Sequence, residues 1–213
     1  MMKELKVKYV ESKMDDFSIE DVSGLLDTFT KHKLDFVPWP QYPLKPSVSF
    51  SIAHNHENIF LKFYVQEKYL RAQYNIANSA VYQDSCVEFF VSFDEGASYY
   101  NFEFNCIGTG YVAYKSVNGT KQLLDEDQVN GLRKKSVIVT ETGNDANWQL
   151  TLRIPFSIFI YTANDKLKEK KCRANFYKCG DLLPEPHFIT WSNIISEKPN
   201  FHLPEYFGRL VFE

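Results

Sequence analysis

Apolar and polar residues alternate along most of the chain, which is the pattern of strands with one buried face. The clearest example is a pair of segments, CVEFFVSF (86–93) and YYNFEFNCIG (99–108), which flank the turn-forming DEGAS and predict a hairpin. Further strands are predicted at 5–10, 47–54, 58–66, 69–75, 111–117, 136–142, 147–154, 171–180, 188–192 and 206–213. So many short strands with so little helix favour an all-β fold, an antiparallel β-sandwich.

Helical spacing is confined to short stretches. The segment SIEDVSGLLDTF (18–29) has apolar residues at helical intervals, and Ser18 is a candidate N-cap. FSIFIY, which begins at residue 156, predicts one further helical turn after Pro155, and the polar residues 120–135 are expected to form a loop. No repeat or linker interrupts the chain, so we expect one domain over residues 1–213, with minor helices beside the strands.

The predicted hairpin has an apolar face and a polar face, because successive side chains of a strand point to opposite sides. The apolar positions of both strands are expected to share the core: Val87, Phe89, Val91, Phe93, Tyr100, Phe102 and Phe104. The other face then carries Glu88 from one strand and Asn101 and Glu103 from the next, and we expect it to face solvent. Neighbouring carboxylates repel each other, and Arg71, on a strand expected nearby, is a candidate partner.

The polar face is a candidate binding platform. Carboxylate and amide groups that stand side by side donate and accept hydrogen bonds in fixed directions, which suits a ligand dense in hydroxyl groups.

The four cysteines predict neither a metal site nor a disulfide. None of them has the CxxC spacing that is typical of structural zinc sites. Cys86 and Cys106 lie on consecutive predicted strands, but their parity places them on opposite faces of the sheet. We therefore expect both thiols to be reduced.

Charge and hydropathy exclude several partners. The net charge of −3 supplies no basic field for phosphate groups, so we expect no nucleic-acid partner. No apolar run approaches the length of a membrane-spanning helix, and the first residues show no signal sequence. The chain as given is thus expected to be a soluble cytoplasmic protein, or a periplasmic or secreted one if a signal segment was removed.

Four motifs in order carry a resemblance to a known family. VYQDSCVEFF, then YYNFEFN, then ITWSN, then NFHLPEYFGRLVF, together resemble the family 9 carbohydrate-binding modules and their DOMON-like relatives, from about residue 45 onwards. The resemblance implies a non-catalytic β-sandwich that recognises free sugars or the ends of glycan chains, commonly beside enzymes that degrade xylan or cellulose. It also implies that structural calcium occurs in some members.

The resemblance also implies roles for single residues. Members commonly hold a terminal sugar between two aromatic rings, which fall at Tyr82 and Phe201 in this sequence, where the second is typically tryptophan. The acidic ligand of the sugar falls at Glu88, and an amide position falls near Tyr177. A position that is arginine in relatives falls at Glu103. His202 follows the second ring and is a further candidate for lining the site.

Two other functions stay open at this point. Glu88 and Glu103 could form the carboxylate pair of a glycoside hydrolase or of its accessory subunit, since retaining enzymes hold such groups about 5–5.5 Å apart. The fold could also bind another small ligand or a protein. The acidic segment DEDQVNG (125–131) is faintly similar to a calcium loop but lacks the closing glutamate of an EF-hand.

Overall fold

The strands and helices follow most of the predicted pattern. The computed structural model describes residues 3–11, 17–140, 145–162, 167 and 170–213. Its thirteen strands are β1 (Glu4–Tyr9), β2 (His32–Lys33), β3 (Ser47–His54), β4 (Asn58–Glu67), β5 (Cys86–Ser92), β6 (Ser98–Asn105), β7 (Gly110–Ser116), β8 (Lys121–Leu123), β9 (Arg133–Thr140), β10 (Ala146–Pro155), β11 (Lys171–Cys179), β12 (Phe188–Thr190) and β13 (Gly208–Phe212). Its α-helices are α1 (Ile19–Asp27) and α2 (Glu126–Gly131), and 3₁₀ turns lie at Val81–Gln83, Phe156–Ile158 and Pro204–Tyr206.

Two predicted elements are wrong. Residues 69–75 form no strand, because Arg71 pairs with Ser85 through backbone and hydroxyl hydrogen bonds that lead the chain into a loop. The expected loop at 120–135 contains β8 and α2. Helix α2 starts there because Asp125 caps it and Gln128 returns the hydrogen bond to the backbone of Asp125. The last two residues of the strand predicted at 136–142 lie outside the described residues.

The fold is mostly β, as predicted, but the sheet is mixed, so the expected antiparallel arrangement holds only in part. Its strand order is β8-β7-β6-β5-β11-β13-β1-β3-β4-β10-β9, with β12 beside β11 and β2 beside β3. Strand β1 runs parallel to both neighbours, pairing Glu4–Val7 with β13 and Lys8–Tyr9 with β3. The other pairs are antiparallel. The sheet curls into a half-barrel.

The main core fills the space between two halves of the curled sheet. In the strand order, one half runs from β8 to β13 and the other from β3 to β9, with β1 between them. Phe50 of β3 stacks on Phe176 of β11 with ring centroids 3.7 Å apart, which joins residues from the two halves directly. The apolar face predicted for the central hairpin is buried in this core, as expected. Helix α1 packs Val22 and Leu26 on the outside of β3 and β4. Ser18 caps it as predicted, with its hydroxyl 3.1 Å from the backbone nitrogen of Asp21.

The face that carries Glu88 is covered, which corrects the expectation that it is open to solvent. A second apolar cluster packs on it, and its members include Trp39, Phe90, Tyr177, Phe201 and Phe207. The segment of residues 194–207 supplies much of this cover. Glu88 is only 3% exposed and Glu103 only 4%. The carboxylates therefore lie in a partly closed layer between the sheet and its cover.

Within the described residues, the helices are too short and too polar to cross a membrane.

Candidate functional site

A row of polar and aromatic side chains crosses four neighbouring strands. Glu88 on β5 pairs directly with Glu103 on β6, as the sequence predicts. Tyr111 on β7 continues the row beyond Glu103, and Tyr177 on β11 continues it beyond Glu88. Because paired residues on adjacent strands project to the same side, the four side chains form one continuous line across the sheet.

A cavity of about 480 Å³ opens over this row. Its floor is the sheet, and its walls come from residues 78–82, from β7 and β8, and from residues 199–202. Its charged and titratable lining consists of Glu88, Glu103, Lys115, Lys121, Cys179, Asp181 and His202. Its aromatic lining consists of Tyr82, Tyr111, Phe188 and Phe201. A site of this size, with apolar rings and a few polar groups, is typical of small-ligand binding.

Burial keeps the two central carboxyl groups partly protonated. It raises the pKa of Glu88 well above its ordinary value, and the charge of Glu103 raises it further. Burial also raises the pKa of Glu103 to about 7, against the opposing effects of the hydrogen bond from Asn101 and of the lysines. Asn101 donates to Glu103 Oε1 at 2.6 Å, and Cys179 donates its thiol to Glu88 Oε1 at 3.1 Å.

Two lysines from the neighbouring strands bring positive charge to the carboxylates. Lys115 on β7 and Lys121 on β8 both lower the pKa of Glu103. The Lys115 ammonium lies 2.9 Å from His202 Nε2, and burial together with this cation lowers the pKa of His202 to about 3. The imidazole is therefore neutral near pH 7 and holds the Lys115 ammonium at the wall of the cavity.

The two candidate aromatic rings differ in their surroundings. Tyr82 is 39% exposed and lines the cavity from the 3₁₀ turn before β5. Phe201 also lines it, but it is only 8% exposed. Its ring stacks on Tyr177 at 4.2 Å with the planes 8° apart, and the Tyr177 hydroxyl donates to the backbone oxygen of Phe201. Phe201, a candidate for exposure in the segment before the last strand, is instead buried in the cover of the sheet.

The structure brings five of the eight candidate residues to the cavity: Tyr82, Glu88, Glu103, Phe201 and His202. Asn101 lies beneath and orients Glu103, while Tyr177 supports Phe201 from below.

Arg71 has a different role from the one expected. It lies outside the cavity lining and pairs with Asp84 at 3.2 Å. The buried Asp84 carboxylate also accepts from two backbone N–H groups and from Asn105, so Arg71 belongs to a loop anchor.

Several cavity residues were not predicted. Tyr111 and Lys115 could have been found, because the alternation in YVAYKSV places both on the polar face once β7 pairs with β6. Lys121 stands on a strand that the sequence did not indicate. Cys179 and Asp181 reach the site only through the pairing of β11 with β5, a contact between segments about 90 residues apart that has no local signal.

One close group of candidate metal ligands lies at this site. Cys86, Glu88 and Cys179 each offer a ligand atom, and these atoms lie within 4.8 Å of one another; in the described part of the chain no other such group of three occurs. The group does not fit the structural calcium that the resemblance implies, since Ca²⁺ prefers oxygen ligands. All four cysteines lie in the described residues and are free thiols, as predicted, with Cys86 and Cys106 on opposite faces.

Several solved structures are similar to this chain over almost its whole length. A candidate carbohydrate-binding protein from Bacteroides uniformis ATCC 8492 is 38% identical to the chain, with a TM-score of 0.93 and complete coverage of both chains. Two structures of a family 9 carbohydrate-binding module from Caldicellulosiruptor kristjanssonii, with glucose and with cellotriose, share the fold. Each is 15% identical with a TM-score of 0.60, and the matches cover 99% of this chain and 96% and 94% of the modules.

The curated proteins that were compared with the chain gave no match. The sequence profile of carbohydrate-binding family 9 matches residues 21–212, which is most of the chain and runs from the first turn of α1 to the end of β13. The chain therefore belongs to carbohydrate-binding family 9.

Proposed function

We propose that the chain binds a sugar, free or at the end of a glycan, in the cavity over Glu88 and Glu103. One observation carries the proposal: aromatic side chains and a buried carboxyl pair line the same cavity in a family 9 chain. The C–H face of a sugar ring packs on aromatic carbon, while its hydroxyl groups need polar partners. Tyr82 and the edge of Phe201 provide the first surface, and the carboxyl pair provides the second.

The carboxyl pair suits hydroxyl groups because it can donate and accept at the same time. Two neighbouring buried carboxyls that share a proton present one acidic O–H and several acceptor oxygens. Lys115 and Lys121 add donors from the opposite wall. Both cations lower the pKa of Glu103, so the positive charge near this carboxyl comes from the neighbouring strands β7 and β8.

Calorimetric titration of the full chain with glucose, cellotriose and xylo-oligosaccharides tests the proposal. We expect saturable binding of at least one sugar, and we expect it to weaken in a Tyr82→Ala variant. A reducing-sugar release assay on the same oligosaccharides checks for hydrolysis, and we expect none. If the chain bound none of the sugars on a glycan array, the proposal would be overturned. If it released reducing sugar, the chain would instead be a hydrolase.

We further propose that residues 1–213 act as one domain, with the two halves of the curled sheet as the layers of a sandwich. The shared core across Phe50 and Phe176 supports this arrangement.

A further inference from the structure

Two cysteines from different strands lie side by side next to the cavity. Cys86 on β5 and Cys179 on β11 are direct cross-strand partners, although 93 positions separate them in the chain. Both side chains belong to the cluster that covers the polar face, and Glu88 is two residues from Cys86 on the same face. We propose that Cys86, Glu88 and Cys179 form a binding site for one thiophilic divalent cation, of which Zn²⁺ and Cd²⁺ are the test ions.

The distances are close to those that such an ion requires. Zinc binds sulfur at about 2.3 Å and carboxylate oxygen at about 2.0–2.2 Å, so two ligands of a tetrahedral ion lie roughly 3.5–3.8 Å apart. The three ligand atoms lie within 4.8 Å of one another, and Cys179 Sγ is 3.1 Å from Glu88 Oε1. Rotamer adjustments of about an ångström would bring all three around one ion.

The donor set selects the class of metal. Two thiolates favour zinc, cadmium and related soft cations over Ca²⁺ and Mg²⁺, which prefer oxygen. Three protein ligands leave one tetrahedral position for a water molecule, as in zinc sites that keep an open position. Glu88 and Cys179 both line the cavity, so the ion has a route to two of its three ligands.

The charges of the ion and its three ligands nearly balance once the ligands have lost their protons. Burial raises the pKa of Cys86 to about 12 and also raises the pKa values of Cys179 and Glu88, so the ion must compete with protons for its ligands. Binding of the ion releases the two thiol protons and the Glu88 proton. The three ligands then carry a charge of −3, so the site with its divalent ion has a net charge of −1. Lys178 lowers the pKa of Cys86 and Lys115 lowers the pKa of Glu88, so both nearby cations favour the charged forms of these ligands.

Titration of the reduced, metal-free full chain with CdCl₂ tests the proposal. We expect an ultraviolet thiolate-to-metal charge-transfer band, whose intensity saturates at one Cd²⁺ ion per chain. We expect ZnCl₂ to weaken this band by displacing Cd²⁺. The band should be lost in Cys86→Ala and in Cys179→Ala. Glu88→Gln should keep a band with affinity weaker by on the order of tenfold or more, since even supporting residues of metal sites contribute that much.

Cys172→Ala is the matched control, because Cys172 is equally buried but lies in the main core. It should keep the band. Thermal unfolding without metal shows which variants fold, and ZnCl₂ should raise the unfolding temperature of the wild type and of Cys172→Ala but not of Cys179→Ala. Absence of a band in the folded wild type would overturn the site, as would a band that survives in the folded Cys86→Ala/Cys179→Ala double variant. No sugar is present, so the result is independent of the proposed carbohydrate binding.

Discussion

Glu88 and Glu103 stand directly opposite each other on adjacent antiparallel strands, and both are almost completely buried. Two opposed carboxylates destabilise a sheet, and burial adds the loss of hydration. The pair lowers this cost by keeping a proton, which agrees with the raised pKa values of both groups. A ligand that hydrogen-bonds both carboxyls would compensate for more of the cost, so this pair links stability to binding.

Glu88→Gln should weaken sugar binding without weakening the fold. The amide preserves the size of the side chain, removes the repulsion with Glu103 and needs no proton, so the thermal midpoint should stay or rise. Its nitrogen cannot accept a hydrogen bond, and we expect about a tenfold loss of affinity, which is about 1.4 kcal/mol. Calorimetry and thermal melts measure both quantities, with the exposed Glu57→Gln as control. A midpoint many degrees lower would instead show that Glu88 is a structural group.

Glu103→Gln should change how stability depends on pH. The pKa of Glu103 rises from 4.5 to about 7 on folding, so the folded chain binds more protons than the unfolded chain between these values. Wild-type stability from this group is therefore present below pH 4.5 and is lost as pH rises to 7. The variant should gain free energy of unfolding over the wild type across this window, by about 3 kcal/mol at most.

Denaturant unfolding at a series of pH values measures this difference. Buried histidines such as His54 and His187 act in the opposite direction, but they occur in both proteins and cancel. A constant gap from pH 4.5 to 7 would contradict the prediction.

Tyr82→Ala should weaken sugar binding without destabilising the fold, whereas Phe201→Ala should also destabilise the fold. Tyr82 is 39% exposed, so its loss should change the free energy of unfolding by less than about 1 kcal/mol while sugar affinity falls. Phe201 is buried against Tyr177, so Phe201→Ala should cost about 3–5 kcal/mol. Phe201→Leu keeps most of the volume and is the better probe of the ring. Unchanged affinity in Tyr82→Ala would remove this ring from the site.

Lys178→Met should destabilise the chain strongly. The Lys178 ammonium lies 2.9 Å from Glu67 Oε2 with side chains 0% and 1% exposed, and Trp148 donates to the other oxygen at 2.6 Å. Removing the cation leaves a buried unpaired carboxylate, which costs about 3–5 kcal/mol. The double variant Lys178→Met/Glu67→Gln should recover much of the loss in chemical unfolding. Lys68→Met, which breaks an exposed pair with Glu185, should change little.

The central hairpin could be predicted because local rules suffice for it. Alternation fixes which side chains share a face, and burying one apolar face fixes the register, so Glu88 had to fall opposite or diagonal to Glu103. The same reasoning separated Cys86 from Cys106. The N-cap of α1 was equally local, since Ser18 and Asp21 satisfy each other within one helical turn.

The remaining features depend on contacts between distant segments. Glu88 is buried because the segment around Phe201 folds over it, and alternation cannot distinguish a covered polar face from an open one. Arg71 is held by the buried Asp84 through a loop arrangement that strand patterns do not describe. The pairing of Cys86 with Cys179 requires the order of strands in the sheet, which sequence spacing does not contain.

The position of β1 has a consequence for synthesis on the ribosome. Leu5 is made about two hundred residues before its partner Leu210. The second backbone link between the halves, Phe36 to Thr190, also waits for a late segment. The nascent chain can form early hairpins such as β3–β4 and β5–β6, yet the halves become joined only after β12 and β13 have left the exit tunnel. The exposed edges of those hairpins are then the surfaces that a chaperone would need to shield.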